Sequence, residues 1–137
     1  QVGGPDMIIV VVGRDSASGT REFLTSSIMG GTNYVPTMLE KNANGAVKLT
    51  IAQTPGAIGY IGLGFIDTTV KPVSISINGT LVEPTVDNVT SGKYPLSRSL
   101  YLLTSGQPTG LAKAYIDFIL SSEGQKLLTG EGFVPLK

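Results

Sequence analysis

The 137-residue sequence predicts an α/β fold, a mixed sheet with flanking helices. Three observations predict it. Met7–Val12 is an unbroken apolar run rich in β-branched residues, the composition of a strand buried on both faces. Apolar residues at helical spacing follow it and recur toward the end of the chain. Asn78-Gly79 closes an alternating segment and marks a β-hairpin, which adds an antiparallel pair to strands otherwise separated by helices.

Each element has its own local signal. The strand Met7–Val12 runs into a polar loop of small residues, Gly13–Thr20, in which Ser18 is the natural N-cap of the next helix. Phe23, Leu24, Ser27 and Ile28 then share one side, and Gly30-Gly31 stops the helix. Asn42–Gly45 reads as a turn, and Ala46–Gln53 as a short helix with Val47, Thr50 and Ile51 inward. Thr54-Pro55-Gly56 breaks it, and Ala57–Ile61 is a second strand whose glycines imply close backbone approach. Val73, Ile75 and Ile77 alternate up to the hairpin turn, and Thr85 caps a helical turn through Val89. Arg98–Thr104 is expected as a third core strand, ending in the breaker run Ser105–Pro108. Leu111, Ala114, Tyr115, Phe118 and Ile119 form a helical stripe that is expected to place Tyr115 and Phe118 in the core. Ser121 or Ser122 restarts a turn through Leu128, which Gly130 and Gly132 end.

Composition removes whole classes of function. Ten Lys and Arg balance ten Asp and Glu, so no basic excess exists to hold a nucleic-acid backbone. Cysteine and histidine are both absent, which excludes disulfides, thiolate nucleophiles, an imidazole base and any metal site built on those ligands. No close Asp/Glu cluster has metal-ligand spacing, and no cofactor is expected. An esterase-like role for Ser16, Ser18 or Thr20 would need a base or metals to activate the hydroxyl, so the chain is not expected to be an enzyme.

The loop from Arg14 to Arg21 is the segment whose residue types suit a ligand. A helix N-terminus offers unpaired N–H groups and partial positive charge, here approached by the hydroxyls of Ser16, Ser18 and Thr20. Gly19 lets the backbone come close, and Arg14 and Arg21 flank the loop with forked donors. Asp15 is the contrary charge, able to orient an arginine or to accept a proton from an oxyanion. The loop lacks the Gly-Lys-Ser/Thr ending of a nucleotide P-loop. Taken by itself, such a loop is more often only a cap and turn than an anion seat.

The segment Val12–Phe23 closely resembles the anion loop of phosphate-binding proteins that serve ABC-type phosphate transporters. Gly3–Asp6, Thr54–Gly62, Gly92–Arg98, Phe118–Gln125 and Gly132–Leu136 resemble the same family in order and approximate spacing. The resemblance implies a type II periplasmic-binding-protein-like fold whose two lobes close around inorganic phosphate, with no catalysis. It implies that Arg14, Ser18, Gly19 and Thr20 contact the anion, with Ser16 and Arg21 beside them. Many members carry an acidic residue where this chain has Ser16; Asp15 stands one position earlier. It further implies ABC transporter membrane subunits as partners and a periplasmic or cell-surface location. Family members are about twice this length, so residues 1–137 are expected to be a compact unit lacking an N-terminal lobe. Within it, residues 1–96 would belong to the second lobe and 97–137 would return toward the first. A surface meant for the missing lobe could drive self-association. Two other readings stay open: a surface module that keeps the fold without a ligand, and a binder of another tetrahedral oxyanion such as sulfate.

Overall fold

A computed structural model describes residues 5–136, so Gly3 and Gly4 of the Gly3–Asp6 resemblance lie outside the described residues. Packing divides the chain into two units, Gln1–Pro72 and Val73–Lys137, a division that no linker-like composition announces.

The first unit is a βαβαβ arrangement. Strand β1 (Val10–Arg14) leads through helix α1 (Gly19–Phe23) to β2 (Leu39–Lys41), and helix α2 (Asn44–Gln53) leads to β3 (Ala57–Gly59). The three strands form a parallel sheet in the order β2-β1-β3. Val12 pairs with Leu39 on one side and with Gly59 on the other, and its side chain is fully buried. Val47 of α2 is likewise fully buried, and Met38 completes the buried apolar core.

The first strand starts later than the apolar run predicts. Met7, Ile8 and Ile9 precede it, with Ile8 85% exposed, and pairing extends instead through Gly13 and Arg14. Strand pairing rather than apolarity sets the limits: β3 offers partners only to Val10–Val12 and β2 only to Val12–Arg14. Strand β2 carries no clear period and went unread in the sequence. The helix after the loop is α-helical for Gly19–Phe23 and widens into a π-turn over Leu24–Ile28, closed by the Met29 N–H donating to Leu24 O at 3.0 Å. It ends before Gly30-Gly31, as expected.

The second unit holds an antiparallel hairpin, β4 (Ile75–Ile77) with β5 (Thr80–Val82), and helices α3 (Val86–Thr90), α4 (Gly110–Leu120) and α5 (Ser122–Gly130). Asn78 and Gly79 both have positive φ, 49° and 83°, the backbone that a two-residue turn between twisted strands requires. Thr85 Oγ1 accepts the Asn88 N–H, so the predicted cap forms, and of Ser121 and Ser122 it is Ser121 whose Oγ accepts the Gly124 N–H and caps α5. Parallel and antiparallel pairings therefore occupy separate sheets rather than one mixed sheet.

Two expectations fail here. Arg98–Thr104 is not a core strand: it is unpaired among the described residues, and Tyr101 and Leu103 are 80% and 91% exposed. A strand needs a neighbour to take its N–H and C=O groups, and nothing in the described chain supplies one. Helix α4 forms where predicted, but Leu111, Tyr115 and Phe118 are exposed rather than core. Helical spacing collects apolar side chains on one face; burial requires a surface opposite that face.

Gly59 fulfils the expectation of close approach. A Cβ there would collide with Val12 O on the paired strand and sit 3.0 Å from Ile51 Cδ1. Backbone in a central ladder cannot yield, so Gly59→Ala should cost about 2 kcal/mol through overpacking. Urea unfolding of the two proteins checks this, with an unchanged midpoint counting against it.

Candidate functional site

Strand β1 lies between the two strands that follow it in the chain: its own connection leads to β2 on one side, and the connection from β2 crosses back to β3 on the other, so the strand order reverses at β1. In open parallel sheets that switch point opens the crevice where ligands sit. The loop Asp15–Ser18 begins there. Two backbone bonds fold it back: Asp15 N–H donates to Lys41 O at 3.0 Å, and Ser18 N–H donates to Asp15 O at 3.2 Å.

Ser18 is 5% exposed, and its Oγ accepts the Arg21 N–H at 3.3 Å. The Glu22 N–H donates to Ser18 O at 3.0 Å, which starts the helical ladder. The amides of Gly19 and Thr20 have no acceptor among the described residues, as a first helical turn dictates. They remain as donors beside the Ser16 and Thr20 hydroxyls.

The two arginines are used differently. Arg14 turns toward the start of α2, where its Nη1 donates to Asn44 Oδ1 and its Nη2 to Asn42 O, both at 3.1 Å. Its Nε is buried without a partner, and so is Asp15 Oδ1. The Arg14 backbone N–H donates to the Tyr60 hydroxyl at 3.1 Å, which fastens the end of β1 to the residue after β3. Arg21 Nη1 donates to Glu40 Oε1 at 2.6 Å and to Arg14 O at 2.9 Å. Its guanidinium carbon lies 5.1 Å from the centre of the Tyr34 ring, and Tyr34 stacks on Tyr60 at 6.1 Å. The hydrogen bond donated to Glu40 raises the Arg21 pKa above its usual range, so the cation is secure.

A cavity of about 520 Å³ opens beside this cluster, lined by Ser16, Arg21, Thr25, Asn33, Tyr34 and Glu40 among others. Of the predicted site residues, Ser16 and Arg21 line it. Arg14, Asp15, Ser18, Gly19 and Thr20 do not, although they belong to the same loop and turn. Sequence reasoning missed Glu40 and Tyr34. A signal existed for Glu40, a lone carboxylate after the apolar pair Met38-Leu39, but only the register Gly13↔Glu40 brings it to the loop.

A profile of the PBP superfamily domain matches residues 1–123. The chain belongs to the PBP superfamily. Among curated members, the phosphate-binding protein PstS of Bacillus subtilis is 36% identical over 99% of this chain and 44% of its own length. PstS of Borreliella burgdorferi is 33% identical over the whole chain and 52% of its own length. A phosphate ABC transporter phosphate-binding protein from Streptococcus pneumoniae superposes with a TM-score of 0.80, at 31% identity, over 94% of this chain and 52% of that one. A putative phosphate ABC transporter substrate-binding protein from Clostridium perfringens, with phosphate bound, gives 0.78 at 33% identity over 98% and 55%. The chain thus spans about half the length of the relatives it matches. These PBP relatives are named as binding proteins.

Burial pushes the Tyr60 phenol up to about 12, against the Arg14 N–H, which pulls it down. A folded-state pKa above the ordinary 10.0 means that the native protein keeps this proton longer than the unfolded chain. That stability is fully present below pH 10.0 and is lost as pH rises through about 12. After discounting for partial exposure it amounts to roughly 1 kcal/mol. Unfolding measured across this window should show the decline, and Tyr60→Phe should flatten part of it. The burial-raised phenol of Tyr94 adds to the decline in the same sense.

Proposed function

We propose that this chain binds inorganic phosphate outside the cytoplasm, as part of a two-lobed solute-binding protein that serves the membrane subunits of an ABC importer. The observation that carries the reading is the likeness, over 98% of this chain, to a structure with bound phosphate. The loop geometry supports it. Gly19 and Thr20 offer two amides, Ser16, Ser18 and Thr20 offer hydroxyls, and Arg14 and Arg21 offer charge around one turn at the carboxyl end of β1. Asp15, with one buried carboxylate oxygen unpaired, is the acceptor for a proton on the anion. A carboxylate acceptor favours hydrogen phosphate over fully ionised sulfate, which brings no proton to share. In this reading residues 1–96 belong to one lobe, and 97–137 return toward a lobe that this chain does not include.

Charge-assisted hydrogen bonds contribute roughly 1.5–3 kcal/mol each, so a partial set of donors gives measurable but weak affinity. Titration with phosphate at constant ionic strength, followed by amide NMR, should shift the Ser16–Arg21 signals saturably, and sulfate should shift them less. Thr20→Ala should weaken binding roughly tenfold through one lost charge-assisted bond. This variant is preferred to Ser18→Ala because Ser18 also caps the helix. Shifts that never saturate, or that saturate equally for sulfate and phosphate, would sink the reading.

A further inference from the structure

A guanidinium has five N–H donors, two of them on each Nη and one on Nε. At Arg21 both hydrogens of Nη1 are taken, one by Glu40 Oε1 at 2.6 Å and one by Arg14 O at 2.9 Å. Nε and Nη2 make no hydrogen bond among the described residues. Together they form the side edge of the fork, which matches two oxygens of a tetrahedral anion. The plane of the fork is fixed as well, because Tyr34 lies under it at 5.1 Å and stacks in turn on Tyr60. Thr25 Oγ1 lies 2.8 Å from Arg21 O and 3.3 Å from the Tyr34 hydroxyl, tying the ring to the arginine's own backbone. Arg21, Tyr34 and Glu40 all line one cavity, together with Ser16.

We propose that Arg21 receives the oxyanion through its Nε–Nη2 edge, and that Glu40 and Tyr34 are the positioning residues that present this edge to the cavity. The inference rests on the phosphate reading above and adds to it which donors of which arginine meet the ligand. Glu40 is half exposed and carries negative charge, as does Glu22 on the same cavity. By charge alone both should repel an anion. Positioning and repulsion therefore predict opposite outcomes when Glu40 is removed.

The test uses phosphate as the probe with Glu40→Gln, Glu40→Ala, Tyr34→Phe and Tyr34→Leu. Glu40→Gln keeps an oxygen acceptor for Nη1 and loses the charge, so phosphate affinity should equal or exceed that of the parent chain. Glu40→Ala should weaken binding about two- to fivefold, a loss typical of partly exposed charged pairs. Tyr34→Phe should preserve affinity and Tyr34→Leu should reduce it, because the ring face and not the hydroxyl carries the contact. Without any ligand, arginine side-chain NMR should resolve separate Nη1 and Nη2 signals for Arg21 in the parent and in Glu40→Gln, and averaged signals in Glu40→Ala. Glu40→Ala binding phosphate as tightly as Glu40→Gln would overturn the inference. So would averaged Nη signals in a parent chain that still binds phosphate, with the phosphate reading left standing. No phosphate binding by the parent would overturn that reading, and with it the anion's place at this edge.

Discussion

The structure of the first unit depends on the burial of one short strand between two parallel neighbours. β1 takes β2 on one side and β3 on the other, and Val12 pairs with both while its side chain is sealed from water. Val12 is sealed from water, so its backbone groups must find their partners across the strands. The same constraint selects glycine at position 59, where a side chain would strike the Val12 carbonyl. With β1 between them, the chain reverses its direction across the sheet on the way from β2 to β3, and a crevice opens at the carboxyl end of β1.

What fills that crevice is a chain of polar contacts more than a row of free charges. Tyr60 receives the Arg14 N–H, Arg14 O receives Arg21, Arg21 meets Glu40, and Tyr34 lies under the guanidinium and against Tyr60. Each group is held by residues from a different element, so the loop is ordered before any ligand arrives. Preorganisation of this kind spares the entropy that a mobile arginine would lose on binding. The two loop arginines are not equivalent in this scheme. Arg14 is directed to the start of α2 by Asn42 and Asn44, whereas Arg21 stands on the cavity.

The second unit is held by local signals. Its hairpin, its caps and the Lys113–Asp117 pair on α4 arise between residues close in sequence. Its apolar residues are another matter. Leu100 to Leu103 and the stripe of α4 face solvent, although their patterns are those of a core. PBP relatives of this chain are about twice as long.

Local chemistry alone determined the elements: Ser18 and Thr85 as caps, the Asn78-Gly79 turn, and the helices α2 and α4. Each depends on residues within a turn or two of one another, so the sequence carries it openly. Tertiary structure decided the limits of β1, the existence of β2 and the burial of each apolar face, because these require a partner from elsewhere in the chain. It also decided the contacts that Glu40 and Tyr34 make with Arg21. Those two residues lie nineteen and thirteen residues beyond Arg21, and no spacing rule in a sequence joins residues across a parallel crossover. Only the register of β2 against β1 brings that carboxylate to the arginine.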